Sequence, residues 1–224
     1  MSRGKDRILL PESRAGRRRT IVTTRLGILG GTFNPVHLGH LLMAQDALEQ
    51  FRLDRVIFMP CARPPHKTVT DLAPDADRLA MLRLAIKGDP RFRVSDLELK
   101  RGGVSYTIET IRALQKKHPG ARLHFIIGSD SLYELHGWRE IADLLRRCVF
   151  VTLERPGFSP ARMTARRLRL EDPWPGRLAR TVFRGHAVDI SSTEIRRRVE
   201  KGRSIHYLVS AGVEAYIQKK DLYR

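Results

Sequence analysis

The stretch Leu26-Gly27-Ile28-Leu29-Gly30-Gly31-Thr32-Phe33-Asn34-Pro35-Val36-His37-Leu38-Gly39-His40 decides the fold of this chain. Leu26 to Leu29 is a short apolar run that stops at glycines, the mark of a buried strand. From His37 to Phe51 the apolar residues Leu38, Leu41, Leu42, Ala44, Ala47 and Leu48 recur with a helical period. Two glycines between strand and helix let backbone N–H groups approach a ligand closely. The helix N-terminus turns its free N–H groups and partial positive charge toward the same spot. His37 and His40, three residues apart, share one face of that first turn and can donate hydrogen bonds to phosphate oxygens. The segment reads as a phosphate cradle, although it has neither the Gly-Lys-Ser/Thr of a P-loop nor the spacing of a dinucleotide fingerprint. Either histidine alone would favour an ordinary tight turn; the pair at this spacing behind a glycine-rich turn favours the cradle.

The same alternation continues outward. Val56 to Pro60 reads as a second strand stopped by proline, and Asp75 to Ile86 as a helix with Leu79, Leu82 and Ile86 on one face. Phe92 to Ser95 is a strand, Thr107 to Lys117 a helix, and Leu123 to Ile127 a strongly apolar strand ending at Gly128. A short helix over Glu140 to Leu145 precedes a strand from Cys148 to Leu153. Strands alternating with helices predict right-handed βαβ crossovers, hence an α/β fold. The expected form is a Rossmann-like doubly wound parallel sheet with a C-terminal helical segment. The Pro- and Arg-rich stretch from Arg155 to Arg184 is expected to be a long surface connection with helix fragments. Two helices, about Ser192 to Lys201 and Val213 to Lys219, close the chain. Ligands in such sheets bind beyond the carboxyl ends of the strands, where Gly30, Pro60 to Lys67, Gly128 to Asp130 and Arg155 fall.

Residues 1–24 are expected to form an Arg-rich extension, either a leader of no fixed structure or an organelle transit peptide. Residues 25–224 form one domain, its helical part at about 190–224. No apolar run approaches the roughly 18 residues that span a bilayer, and Ile8 to Leu10 is too short for a secretory core; the expected location is the cytoplasm. Cys61 and Cys148 suit neither a disulfide framework nor a zinc site and read as small core or strand-end residues. The net charge of +18, from 42 basic and 24 acidic residues, concentrates in Arg14 to Arg19, Arg162 to Arg169 and Arg196 to Arg203. Such charge suits a polyanionic small molecule as well as nucleic acid, and it suits arginines on solvated faces. With no recognisable nucleic-acid motif and no interleaved aromatics, no nucleic-acid partner and no membrane partner is expected. Monomer and dimer both stay open.

A second landmark is Ile190-Ser191-Ser192-Thr193-Glu194-Ile195-Arg196. Ser191 or Ser192 is an N-cap, with Glu194 or a neighbour completing the first turn. Together the two stretches resemble the GGTF(D/N)PxHxGH and ISSTxIR signatures of the nucleotidyltransferase superfamily; Asn34 stands where many members have Asp. From Arg25 to Arg224 the chain is similar to the bacterial nicotinate-nucleotide adenylyltransferase family. Pro64-Pro65-His66-Lys67 matches that family's PPH(K/R) element, and Ser105-Tyr106-Thr107, after Asp96-Leu97-Glu98, its SYT element. Gly128-Ser129-Asp130 with Trp138 matches its GxD…W stretch, Arg155-Pro156-Gly157 its RPG, and Tyr216-Ile217 with Leu222-Tyr223-Arg224 its ending.

The resemblance implies adenylyl transfer from ATP to nicotinate mononucleotide, giving deamido-NAD and pyrophosphate in NAD biosynthesis. It places ATP at Gly30, Gly31, Thr32, Phe33, His37, His40, Gly128, Asp130, Ile190, Ser191, Ser192, Thr193 and Arg196. It places the mononucleotide at His66, Lys67, Tyr106, Thr107, Trp138 and Arg155. Several of these have a plainer alternative: Trp138 as core, the Tyr106-Thr107 stretch as a helix start capped by Ser105 or Thr107, Asp130 as a turn residue, and Lys67 and Arg155 as loop charges. The attacking phosphate oxygen is already anionic, so no general base is needed; the reaction needs in-line placement and charge neutralisation. His37, His40, Lys67 and Arg196 supply the donors. No carboxylate cluster demands a protein-held metal, so Mg²⁺ is expected to arrive with ATP. The competing acceptors are nicotinamide mononucleotide and phosphopantetheine, and a basic nucleic-acid-binding module is the reading from a different class.

Overall fold

The structure, a computed structural model, describes residues 23–65, 72–155, 158 and 163–224. Six strands form one sheet: β1 Arg25–Gly31, β2 Arg55–Pro60, β3 Phe92–Val94, β4 Arg122–Gly128, β5 Val149–Leu153 and β6 Val182–Phe183. They lie in the order β3-β2-β1-β4-β5-β6, and every neighbouring pair is parallel. The longer helices between them are α1 Leu38–Gln50, α2 Asp75–Ala85, α4 Thr107–Lys117, α6 Ile141–Arg147, α9 Ser192–Glu200 and α10 Ala211–Lys219. Shorter ones are α3 Leu97–Arg101, α5 Ser129–Leu132, α7 Ala165–Leu168 and α8 Trp174–Ala179, with a 3₁₀ turn at Leu135–Gly137. Among the described residues no helix is long and apolar enough to cross a membrane.

A sheet buried on both faces explains the near-continuous apolar strands. Successive residues serve opposite layers. Leu29, Val56, Phe58, Ile126 and Val151 pack with α1, α2, α9 and α10. Leu26, Ile28, Ile57, Met59, Phe125, Ile127 and Phe150 pack with α4, α6, α7 and α8. The fold is thus the Rossmann-like, doubly wound α/β sheet that the alternation predicts, with α9 and α10 as the helical ending. The strand order reverses direction between β1 and β4, and such a switch point opens a crevice at the strands' carboxyl ends.

Two expectations change. The region from Arg155 to Arg184 is not merely a surface connection: it carries α7, α8 and the sixth strand, and it buries Met163, Leu168, Leu170, Leu178 and Phe183. With so few apolar positions spread over two one-turn helices and a two-residue strand, no periodicity develops for a sequence window to detect. In α2 the buried residues are Arg78, Met81 and Leu82, while Leu79 and Ile86 are only half-buried. The core-facing stripe is therefore rotated toward a charged residue.

Candidate active site

At the switch point lies a cleft of about 360 Å³, open to solvent, between the carboxyl ends of β1 and β4. Gly30, Gly31, Thr32 and His40 form one wall. Gly128, Asp130 and Arg155 lie on the β4 side, and Tyr106, Thr107 and Trp138 stand at the far end. Cleft positions more than 120 residues apart in sequence are thus brought together. Phe33 and His37 lie buried beneath this wall. His66 and Lys67 lie outside the described residues.

The β1–α1 turn is held rigidly. Phe33 adopts the left-handed region at φ 49, a conformation costly for a bulky residue and kept only where surroundings fix it. Its ring is fully buried and packs on His40, 5.0 Å between centroids, and on Phe58. A Cβ at Gly31 would meet the Phe33 ring at 3.3 Å. His37 is the residue preceding the first turn of α1, and its backbone N–H donates to His40 Nδ1 at 3.2 Å. That bond fixes the tautomer of a neutral His40: Nδ1 accepts, so Nε2 carries the hydrogen available to a ligand.

The two imidazoles stack with centroids 3.7 Å apart. Burial, and next the Arg155 charge, pushes His37 down to about 4. Burial, His37 and Arg155 hold His40 well below the ordinary histidine range. Both rings are therefore neutral at physiological pH with the cleft empty of anions, and they act as hydrogen-bond donors rather than fixed cations. His37 Nδ1 is buried without a hydrogen-bond partner among the described residues.

Across the cleft, Arg155 Nε lies 3.3 Å from Asp130 Oδ1, with both side chains more than half exposed. Exposed pairs of this kind are weak, so the guanidinium can exchange that partner for a phosphate. A Cβ at Gly128 would run into the Asp130 carboxylate and come within 2.8 Å of Arg155 Nε, so one of these flexible side chains would have to move aside. Ser129 Oγ accepts from the Arg155 backbone N–H at 3.1 Å, which ties the two loops together.

At the far end, the N-terminus of α4 faces the cleft. Its N-cap is Tyr106, with no side-chain capping bond, which leaves first-turn N–H groups for an anionic ligand. Ser105 is not the cap; its hydroxyl accepts from Ala62 N at 3.0 Å inside the core. The guanidinium of Arg139 lies 4.6 Å from the Tyr106 ring centre. Trp138 is half-buried, its edge-on neighbours Phe125 and Phe150 at 5.9 and 6.0 Å. It is therefore both a core contact and a cleft wall.

The second landmark sits behind the cradle. Ser191 is the N-cap of α9, its Oγ accepting from Glu194 N at 3.1 Å. Ser192 Oγ donates to Pro35 O at 2.8 Å and Arg196 Nη1 donates to Asn34 O at 2.9 Å. Ile190, Ser191, Ser192, Thr193 and Arg196 are not among the residues lining this cleft; Ser192 and Arg196 grip the turn that does line it. Arg196 has further donors beyond the one used.

Three residues central to this architecture escaped sequence reasoning. Arg78 is completely buried. Its guanidinium donates to Thr32 O and Cys61 O, both at 2.8 Å, and to Ala73 O at 3.1 Å, while Asp75 accepts from its remaining nitrogen. It thereby joins the carboxyl ends of β1 and β2. Glu98, buried at the cleft, accepts from Thr110 Oγ1, and burial raises its carboxyl above the usual range. Asp46 on α1 is buried and accepts from His186 N at 2.8 Å, fastening the segment before α9 to α1. Arg78 and Asp46 read in the sequence as charges within helical stretches, which usually means exposed positions, and Glu98 only as part of the Asp96-Leu97-Glu98 run before Ser105. The thiols of Cys61 and Cys148 are buried and pushed up to about 11 and about 12 by that burial.

The cytidylyltransferase-like family model matches residues 28–198. A relative from Opitutus terrae, described as a probable nicotinate-nucleotide adenylyltransferase, is 47% identical over 201 residues, covering 89% of this chain and 98% of the relative. One of the same description from Pelobacter propionicus is 44% identical over 213 residues, with the same coverage. Among solved structures, the nicotinic acid mononucleotide adenylyltransferase of Plasmodium falciparum complexed with NaAD superposes with a TM-score of 0.67 at 20% identity. That match covers 89% of this chain and 97% of the other, a likeness of fold. The glycine-turn and capped-helix signatures, which meet at one turn, the switch-point cleft beside that turn and this extent of identity lead to one conclusion: the chain belongs to the nicotinate-nucleotide adenylyltransferase family of cytidylyltransferase-like nucleotidyltransferases.

Proposed function

We propose that the protein joins ATP and nicotinate mononucleotide to give deamido-NAD and pyrophosphate, a step of NAD biosynthesis. A phosphate oxygen of the mononucleotide attacks the α-phosphorus of ATP. The new O–P bond forms as the bond from the α-phosphorus to the bridging oxygen breaks, and pyrophosphate leaves with that electron pair. The nucleophile is ionised before it binds, so no side chain has to remove a proton. Catalysis consists of alignment and of stabilising charge that grows on the α-phosphate and the leaving group. One domain over residues 25–224 carries this activity, in the cytoplasm.

The observation that carries the reading is the cleft with two unlike ends. At one end, Gly30, Gly31, Thr32 and His40 present backbone and Nε2–H donors beside the N-terminus of α1. In this reading His40 and His37 attend the α-phosphate, while the α9 N-terminus (Ser191, Ser192, Thr193) and Arg196 serve the β- and γ-phosphates. Gly128 and Asp130 border the ribose, where a carboxylate accepts from hydroxyls. Mg²⁺ enters as part of the ATP substrate. At the other end, the free N–H groups of α4 at Tyr106 and Thr107 suit the nicotinate carboxylate, and Trp138 suits its ring. Arg155, with His66 and Lys67, suits the mononucleotide phosphate. An anion-seeking helix N-terminus beside the aromatic wall favours the acid over the amide.

The test is pyrophosphate release with ATP and each of nicotinate mononucleotide, nicotinamide mononucleotide and phosphopantetheine in parallel. Turnover with the first, at the highest kcat/KM of the three, is expected. Activity with phosphopantetheine alone, or with none of them, overturns the reading.

A further inference from the structure

The turn that carries the histidines is held from its far side by the last residues of the chain. Asn34 is 2% exposed. Its Oδ1 accepts from Ala73 N at 3.0 Å and from Tyr223 Oη at 2.9 Å, which engages both lone pairs of that oxygen. Its backbone carbonyl takes the Arg196 bond already described. The neighbouring Leu38 N–H donates to Leu208 O at 2.9 Å. Four separate parts of the chain thus converge on residues 34–38. One of them, the hydroxyl of Tyr223, comes from the penultimate residue.

Tyr223 itself adopts the left-handed region at φ 67. A tyrosine holds such a conformation only when its contacts compensate. Here the phenol reaches inward to Asn34 and the ring is half-buried against the α1–α2 layer. Tyr216, on α10, offers a comparison: its hydroxyl donates to Asp77 Oδ1 at 2.8 Å, on α2, and not to a residue of the turn.

We propose that Tyr223 is a positioning residue for adenylyl transfer, its hydroxyl fixing Asn34 and through it the placement of His37 and His40 under the α-phosphate. This rests on the function proposed above. Tyr223 is then part of the active-site scaffold, and a protein lacking its hydroxyl binds ATP in a turn that is not fully set. Burial raises the Tyr223 phenol, so the group stays a donor across the working pH range.

The test compares Tyr223→Phe with Tyr216→Phe. Loss of one buried hydrogen bond predicts a kcat about five- to tenfold lower for Tyr223→Phe. KM for nicotinate mononucleotide should stay within about twofold and Tm should match that of Tyr216→Phe. Equal kcat values in the two variants overturn the proposal. The second measurement places Tyr223→Phe in an Asn34→Ala background, where it should cost less than about twofold, because the partner oxygen is gone. A full additive loss there overturns it as well, since the tyrosine would be acting elsewhere. Should the unaltered protein release no pyrophosphate, the adenylyl-transfer reading fails by itself. The affinity of both tyrosine variants for α,β-methylene ATP then decides Tyr223 separately, with a weakening confined to Tyr223→Phe supporting its role and equal affinities overturning it.

Discussion

Replacing Arg78 with Met removes the guanidinium that ties together the carboxyl ends of β1 and β2 while keeping most of the side chain's volume. Three backbone carbonyls, at Thr32, Cys61 and Ala73, lose their charged donor at 2.8 to 3.1 Å. Bonds from a charged donor contribute about 1.5 to 3 kcal/mol each. Relief of the buried charge's desolvation offsets part of that sum. Taking the low end for three bonds gives a loss of about 4 kcal/mol, a large share of the roughly 5 to 15 kcal/mol that holds a domain folded. For a chain of this size that lowers Tm by about 10 °C. Arg78→Lys keeps the charge, but a point donor cannot span three carbonyls in different directions, so it should recover less than about half. Urea unfolding followed by circular dichroism gives the stability difference. Because Thr32 and Cys61 line the cleft, kcat measured well below the variant's Tm should fall too. A change under about 1 kcal/mol for Arg78→Met, or full recovery with Lys, would refute the reasoning.

The remaining predictions concern the cleft directly. Unfolded His37 takes up a proton near 6.5 but the folded residue only near 4. Between those values the unfolded state binds more protons, so stability falls as pH drops from 6.5 toward 4, by up to about 3 kcal/mol. His37→Gln should flatten that part of the stability–pH curve, and an unchanged slope would remove the residue as its cause. Gly128→Ala places a methyl where Asp130 and Arg155 meet, yet both are flexible ends that can move aside. Its kcat/KM should drop at least about tenfold while Tm changes by no more than a few degrees. His40→Ala should lower kcat about a hundred- to a thousandfold, with affinity for an ATP analogue changed far less; unchanged turnover would end its assignment. Trp138→Ala should raise KM for nicotinate mononucleotide about tenfold or more through lost ring stacking, and it should also lower Tm because Phe125 and Phe150 lose a neighbour.

Much of this was legible in the sequence because its signals were local. The apolar strand runs alternating with helical stretches suffice for a parallel sheet with its ligands at the strands' carboxyl ends; the strand order that puts the switch point between β1 and β4 comes from the structure. A cap at Ser191 or Ser192 and the paired histidines follow from spacing alone; the structure settles the cap on Ser191. What escaped was non-local. Arg78 reads as an exposed helix charge because the three carbonyls that receive it come from residues 5, 17 and 46 positions away. The sixth strand is two residues long, too short to carry a period. Whether Arg196 touches the cleft or braces the turn depends on how α9 docks against Asn34 and Pro35, which no property of the helix itself encodes. The neutral state of His37 and His40 likewise arises from burial and from Arg155, a residue over a hundred positions downstream.

The central claim is that the α-phosphorus of ATP is the atom attacked and that the whole adenylyl group moves. It is tested by supplying ATP radiolabelled at the α-phosphorus or at the γ-phosphorus, with nicotinate mononucleotide, and separating the products. The account predicts α-label entirely in a dinucleotide and γ-label entirely in pyrophosphate. Label from the γ-position in the pyridine nucleotide, with ADP as the other product, would contradict it.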